Sequence, residues 1–203
     1  MAFKTGALSK TKDSSSPIPH LGGLAIVSTF SISVVSASLI EQPPNGINSL
    51  ILVLVLALIL AVLGHVDDIK QLSPSIRLFV QLCCALVVWI GDEGVSLFQI
   101  EFLDLLITIF WIIGVTNAFN LLDNMDGLSA GLATISTLTF FTIAAANGQY
   151  LVAGLSLAVA GCSMGFLRHN FYPAKIYMGD AGSLFIGFLV AYLGMKLRFE
   201  SPI

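Results

Sequence analysis

The sequence predicts an all-α, polytopic integral membrane protein of about seven transmembrane helices, and three observations carry that prediction. Of the 203 residues, 56% are hydrophobic and only 10% charged, whereas a soluble domain carries roughly a quarter charged residues. The mean hydropathy is +0.92. The apolar residues also fall into seven separate runs, most of them approaching the roughly 20 residues that a helix needs to cross the hydrocarbon layer.

The runs are Leu21 to Ile40, Ser49 to Val66, Leu78 to Ile90, Phe102 to Leu122, Leu128 to Ala146, Tyr150 to Leu167 and Ala181 to Leu197. The third is the shortest and fits a tilted or partly interfacial helix as well as a spanning one. Turn-forming stretches separate them: "EQPPNGIN", "DDIKQLSPSIR", "GDEGVSLFQIE", "DNMDG", "NGQ" and "RHNFYPAKIYMGD". No motif period links the runs, which argues against a solenoid. Residues 1–20 read as a polar cytoplasmic N-terminal segment without the apolar core of a cleavable signal. Cys83, Cys84 and Cys162 lie inside apolar runs and read as buried small hydrophobes, not as a disulfide framework. A net charge of −3 gives no reason to expect a nucleic-acid partner.

Basic residues orient the threading. With the N-terminus in the cytoplasm, Lys4, Lys10, Lys12, Lys70, Arg77, Arg168 and Lys175 share the cytoplasmic side, and only Lys196 and Arg198 fall opposite. The same threading puts Asp67, Asp68, Asp123, Asp126 and Asp180 on the cytoplasmic side, from three separate loops. Glu41, Asp92, Glu93 and Glu101 are left outside.

Each acidic stretch has a plain and a chemical reading. Asp67 and Asp68 are adjacent carboxylates at the exit of the second run, where charges leave the membrane; they repel unless a proton or a cation neutralises them. Asn117, Asn120, Asp123 and Asp126 recur every three residues, which on a continuing helix makes a drifting stripe mostly on one face. Their hard oxygens suit Mg²⁺, while asparagine hydrogen bonding and aspartate capping account for some of them without chemistry. After Gly127, "LSAG" opens the next helix with N–H groups that could face an anion. Asp180 lies between glycines at the head of the last run, where the helix dipole favours negative charge. Arg168, His169 and Lys175 precede it, and basic groups beside carboxylates suit a metal-bound phosphate ester.

"PIPHLGGLAI", "GHVDDIKQLSP", "NAFNLLDNMDGLSAG" and "RHNFYPAKIYMGDAGSLFIGF", in this order and spacing, resemble the cytoplasmic motifs of the polyprenyl-phosphate N-acetylhexosamine-1-phosphate transferases. The wording is closer to the branch that transfers GlcNAc-1-phosphate or a related sugar than to the pentapeptide branch. The resemblance implies a multi-pass enzyme of the bacterial inner membrane with its active site facing the cytoplasm. Such an enzyme moves a sugar-1-phosphate from a UDP-N-acetylhexosamine to undecaprenyl phosphate, a polyprenyl phosphate lipid, and releases UMP. It also implies Mg²⁺ as cofactor, with Mn²⁺ as a substitute, and is compatible with a homodimer. Residue by residue, Asp180 matches the metal ligand, with Asn120 as helper. Asp67 and Asp68 match the catalytic acids near the lipid phosphate, and Asn117, Asp123, Asp126 and Asn170 match substrate-binding positions. Arg168 and Lys175 stand where the leaving UMP needs positive charge.

The chain departs from the family pattern in three ways. Asn124 replaces a glycine, a mild change because asparagine also tolerates left-handed backbone. The family's first helix and its later helices with a histidine-rich loop are not found between Met1 and Ile203. Residues 21–203 are accordingly expected to be a transmembrane catalytic domain, incomplete relative to the family at both ends. Low activity of these residues alone is expected on the same ground. A truncated non-catalytic membrane protein or a cation-binding helical bundle is the alternative. Acids at helix ends on one side, and not at the bilayer midplane, favour the enzyme.

Overall fold

A computed structural model describes residues 8–9, 18–19, 21–40, 46–98 and 100–198. Seven helices make up most of the described residues: α1 (Gly22–Ile40), α2 (Ile47–Lys70), α3 (Pro74–Ile90), α4 (Glu101–Leu122), α5 (Leu128–Ala146), α6 (Tyr150–Asn170) and α7 (Gly179–Lys196). They coincide with the seven apolar runs, because hydrocarbon forces each crossing segment to satisfy its own backbone hydrogen bonds. Outside the helices, β1 (Leu8–Ser9) and β2 (Ile18–Pro19) form a short antiparallel pair, with Leu8 opposite Pro19 and Ser9 opposite Ile18. Otherwise the expected polar segment 1–20 lies outside the described residues.

Three helices outrun their apolar stretch by about a turn at one end. α2 continues past Val66 to Lys70, so Asp67 and Asp68 belong to its last turn and not to a loop. The left-handed Gln71 then closes it, its N–H donating to the Asp67 carbonyl. α6 likewise continues past Leu167 to Asn170. α3 starts at Pro74, whose missing N–H costs nothing in a first turn.

Among the described residues, α1, α2, α4, α5 and α6 are long and apolar enough to cross a membrane. α3 has 17 residues, as its short run anticipates. α7 has 18 residues and carries Asp180 and Lys196 near its two ends. It is nonetheless the axis of the bundle, packing against α1, α2, α4, α5 and α6. Every residue from Ala181 to Leu193 is buried, as befits a helix apolar on all sides. Phe30 of α1 meets Phe185 of α7 edge to face, ring centroids 5.3 Å apart. Large side chains such as Val62, Ile90, Phe110 and Ile135 point outward, toward what the hydropathy makes lipid.

The helices alternate in direction, so two polar ends result. At one end α7 begins beside the C-termini of α2 and α4 and the start of α1, where Gly22 and Gly23 donate their N–H groups to the Tyr177 and Met178 carbonyls. At the other end Glu93, 8% exposed, joins three elements. It accepts hydrogen bonds from Ser49 of α2 and, at 3.0 Å, from the Tyr192 hydroxyl, and it pairs with Lys196 of α7. Burial alone would raise the Glu93 pKa, but Lys196, Ser49 and Tyr192 together hold it below the usual value.

Candidate active site

The polar end at the start of α7 is built around that helix's free N–H groups. Met178 precedes the helix and offers no side-chain cap, so the caps come from elsewhere in the chain. The Gly179 N–H donates to Asp123 Oδ2 at 3.1 Å. The Asp180 and Ala181 N–H groups donate to Asp68 Oδ1 and Oδ2, at 2.9 and 3.3 Å. Two carboxylates from α2 and from the end of α4 thereby sit at the positive pole of a third helix, where negative charge is stabilised.

Asp180 presents its own carboxylate from the first turn of α7. Its Oδ1 accepts from Asn120 Nδ2 at 2.6 Å, and the same amide donates to Ser183 Oγ at 2.9 Å. Its Oδ2 lies 3.6 Å from Arg77 Nη1. That nitrogen is also 2.9 Å from Asp67 Oδ2, so one guanidinium from α3 is shared by carboxylates from α2 and α7. Asp67 is 5% exposed, and its Oδ1 accepts the Leu72 N–H at 2.6 Å, closing the turn between α2 and α3. The close approach of α2 to α7 is permitted by Gly64: a Cβ there would stand 2.2 Å from the Asp180 carbonyl oxygen.

The acid pair, Asp123, Asp180 and Asn120 therefore meet, as the sequence anticipates. Burial raises the Asp123 carboxyl to a pKa of about 7, and the charges of Asp180 and Asp68 add to the rise against the Gly179 N–H. Among the described residues no three carboxylate, imidazole or thiol groups form a ready cage for a metal ion. Mg²⁺ does not need one, since it is usually held by one or two carboxylates together with waters and substrate phosphates. The hard oxygens of Asp180, with the Asn120 amide beside them, are a donor set that fits such a site.

The other anticipated residues stand apart from this cluster. Asn117 and Gln81 of α3 pair through reciprocal amide bonds, 2.5 Å from Asn117 Nδ2 to Gln81 Oε1 and 3.4 Å in return. Asn117 also donates to the Ile113 carbonyl at 2.8 Å. The three-residue spacing thus does not produce one helical stripe. Each such step turns a helix by about 60°, and α4 ends at Leu122, leaving Asp123 as its cap and Asp126 in the turn beyond. Asp126 Oδ2 accepts the Ala174 N–H at 2.9 Å. Asn170, 2% exposed, accepts the Gly127 N–H and donates to the Ile176 carbonyl, both at 3.0 Å. Both residues tie down the loop between α6 and α7. The start of α5, read as an anion seat, has its first N–H groups taken by Asn170 and by the Met125 carbonyl. Arg168 and Lys175 are exposed, and among the described residues neither makes an ion pair.

Sequence reasoning missed Arg77, Ser183 and Gln81 as parts of this end. Arg77 had a visible signal, a basic residue one turn into the helix after an adjacent acid pair. The cytoplasmic charge bias explained it away.

The profile described as glycosyl transferase family 4 matches residues 50–198. The chain belongs to glycosyl transferase family 4. The matched span contains Asp67, Asp68, Arg77, Asn120, Asp123 and Asp180, the whole cluster at the head of α7. Among relatives in the family, the probable undecaprenyl-phosphate N-acetylglucosaminyl 1-phosphate transferase of Bacillus subtilis is 35% identical, over 99% of this chain and 58% of that protein. The phospho-N-acetylmuramoyl-pentapeptide-transferase of Oceanobacillus iheyensis is 35% identical over 90% of this chain and 62% of that protein. The enzyme of the same name from Streptococcus equi subsp. zooepidemicus is 32% identical, over 90% and 60%. The chain thus spans about three fifths of the length of these family members.

Proposed function

We propose that this chain supplies the catalytic centre of a membrane phosphotransferase. The enzyme moves an N-acetylhexosamine-1-phosphate from a UDP-sugar to a polyprenyl phosphate such as undecaprenyl phosphate, releasing UMP for cell-envelope polysaccharide synthesis. The observation that carries the reading is the meeting of Asp67, Asp68, Asp123 and Asp180 with Asn120 and Arg77 at one end of four helices, α2, α3, α4 and α7. Phosphoryl transfer is largely positioning and charge neutralisation, and this cluster has the groups for both. The names of the relatives supply the substrate class.

In the proposed reaction an oxygen of the lipid phosphate attacks the phosphorus attached to the sugar. The bond from that phosphorus to the UMP oxygen breaks, and UMP leaves with the electron pair. Both acids of the pair are engaged, Asp68 by the start of α7 and Asp67 by the Leu72 N–H and Arg77. Asp67 is our choice for the group that takes any proton on the lipid phosphate, since its Oδ2 partner is a partly exposed side chain that a phosphate can draw away, and not a helix main chain. Asp180, with Asn120 fixing its carboxylate, would hold Mg²⁺, or Mn²⁺ in its place. The metal, when bound, supplies the positive charge that neutralises the diphosphate oxygens. Arg77 balances charge on the Asp67 side, and Asp123 lines the same end. Asp126 and Asn170 hold the loop from Phe171 to Met178, on which Lys175 stands within reach of solvent and nucleotide.

The cytoplasmic side of a bacterial inner membrane is the proposed location of this end, in keeping with seven of the nine basic residues. A homodimer is compatible with the reading. The test is UMP release by the whole protein that carries this chain, purified in detergent, with UDP-GlcNAc, undecaprenyl phosphate and Mg²⁺. Release that needs both substrates and stops with EDTA is expected. Metal-independent release, or none from a folded protein with any UDP-N-acetylhexosamine, overturns the proposal.

A further inference from the structure

We infer that Asp68 is a positioning residue whose task is to cap α7 from α2 and so fix Asp180, and that it does this through hydrogen-bond acceptance and not through its charge. The inference rests on the phosphotransferase reading for its functional part. The geometry is independent of that reading.

An α-helix leaves its first four N–H groups without partners, and α7 has no cap of its own because Met178 offers none. Asp68, 112 residues earlier in sequence, accepts the N–H groups of Asp180 and Ala181 with its two oxygens. Asp123 accepts that of Gly179. Three consecutive N–H groups are thus filled by side chains from two other helices' ends. The first-turn N–H groups that could bind a phosphate are therefore occupied, and a substrate phosphate has to be met by side chains or metal. Gly64, one helical turn before Asp68, removes the Cβ that would keep α2 from this contact. The Asp68 carboxylate therefore lies where it sets both the position of the Asp180 main chain and the start of the helix that carries its side chain.

Asparagine caps a helix about as well as aspartate, and alanine much less well. That ranking separates a positioning role from an acid–base or metal-binding one. The variants Asp68→Asn, Asp68→Ala and Asp67→Asn are to be made in the whole protein that carries this chain. Amide hydrogen exchange over Met178 to Ser183 is followed alongside UMP release. For Asp68→Ala, exchange at Asp180 and Ala181 is expected to speed up roughly five- to tenfold, the size of one lost cap, with a fall in kcat at little changed KM. Asp68→Asn should bring exchange back to within about twofold of wild type and rescue most of the turnover lost in the alanine variant. Unchanged exchange in Asp68→Ala overturns the capping. Turnover in Asp68→Asn as low as in Asp67→Asn, with α7 still protected, overturns the positioning role by showing that the charge itself is needed. Should the wild-type protein release no UMP at all, the phosphotransferase reading fails, and the exchange data alone still decide whether Asp68 caps α7.

Discussion

Gly64 of α2 lies directly against the main-chain carbonyl of Asp180, with no room for a side chain between the two helices. Gly64→Ala would place a methyl group 2.2 Å from that oxygen and must push α2 and α7 apart. Overpacking of this kind costs roughly 1–3 kcal/mol and should lower the melting temperature in detergent. It should also cost activity, because Asp67 and Asp68 move with α2. Gly131→Ala in α5 is the control: nothing lies within 4 Å of its Cβ position, so that variant should melt at or slightly above wild type.

Asp180→Asn should keep the Asn120 contact yet lose the charge facing Arg77, reducing UMP release at least about a hundredfold, the usual scale for an electrostatic group at a reacting phosphate or carbonyl. Expression and melting temperature should stay near wild type. Turnover within a few-fold of wild type, still dependent on Mg²⁺, would remove Asp180 from the site.

Arg77→Ala leaves Asp67, 5% exposed, without its counter-charge. Breaking a fully buried pair is strongly destabilising. Arg77 is itself partly exposed, so a loss of roughly 1–3 kcal/mol is expected here. Arg77→Lys should recover part of the stability but less of the activity, since a single ammonium bridges two carboxylates poorly. Equal melting temperatures for wild type and Arg77→Ala would show the pair to be inconsequential.

Asp123 gives a pH signature. Its pKa rises on folding from 3.8 to about 7, so between those values the folded protein binds more protons than the unfolded chain. The associated stability is complete below pH 3.8 and declines as pH rises through about 7. Metal-free protein in detergent should therefore lose melting temperature between pH 5 and 8, and Asp123→Asn should flatten that slope. An unchanged slope in the variant assigns the effect to another group.

Threading is tested by sided labelling in a cysteine-free background. Ser73→Cys and Lys175→Cys, both exposed at the α7-start end, should react with an impermeant thiol reagent only in inverted vesicles. Asp92→Cys, at the other end, should react only from the cell exterior. Opposite-sided labelling of positions 73 and 175 would be incompatible with the bundle.

The helices were legible because a chain in hydrocarbon has few ways to satisfy its backbone, and seven apolar runs leave little choice. The acids were legible because carboxylates in such a chain demand a reason. What lay beyond reach were relations across helices. Nothing in the run 181–197 marks α7 as the axis and not a peripheral helix, since all seven runs are apolar throughout. Asn170 looks in sequence like any polar loop residue, and only its two main-chain partners, Gly127 and Ile176, make it a clamp. Arg77 was visible but had a sufficient explanation in charge bias, while its contacts with Asp67 and Asp180 depend on how α3 folds back on α2.

The Glu93 knot at the far end gives α7 a second anchor. With Asp68 and Asp123 gripping its head and Glu93 holding Tyr192 and Lys196 near its tail, the helix cannot slide along its axis. Asp180 and Lys196 then stand about 24 Å apart along that axis, short of the roughly 30 Å of an average hydrocarbon layer. The helices around α7 keep it out of contact with lipid, so this short span is matched by protein and not by the bilayer, whose thickness acts on the longer outer helices. The acidic cluster thereby keeps a set distance from the Glu93 knot, held by a strut inside the protein that lipid does not reach.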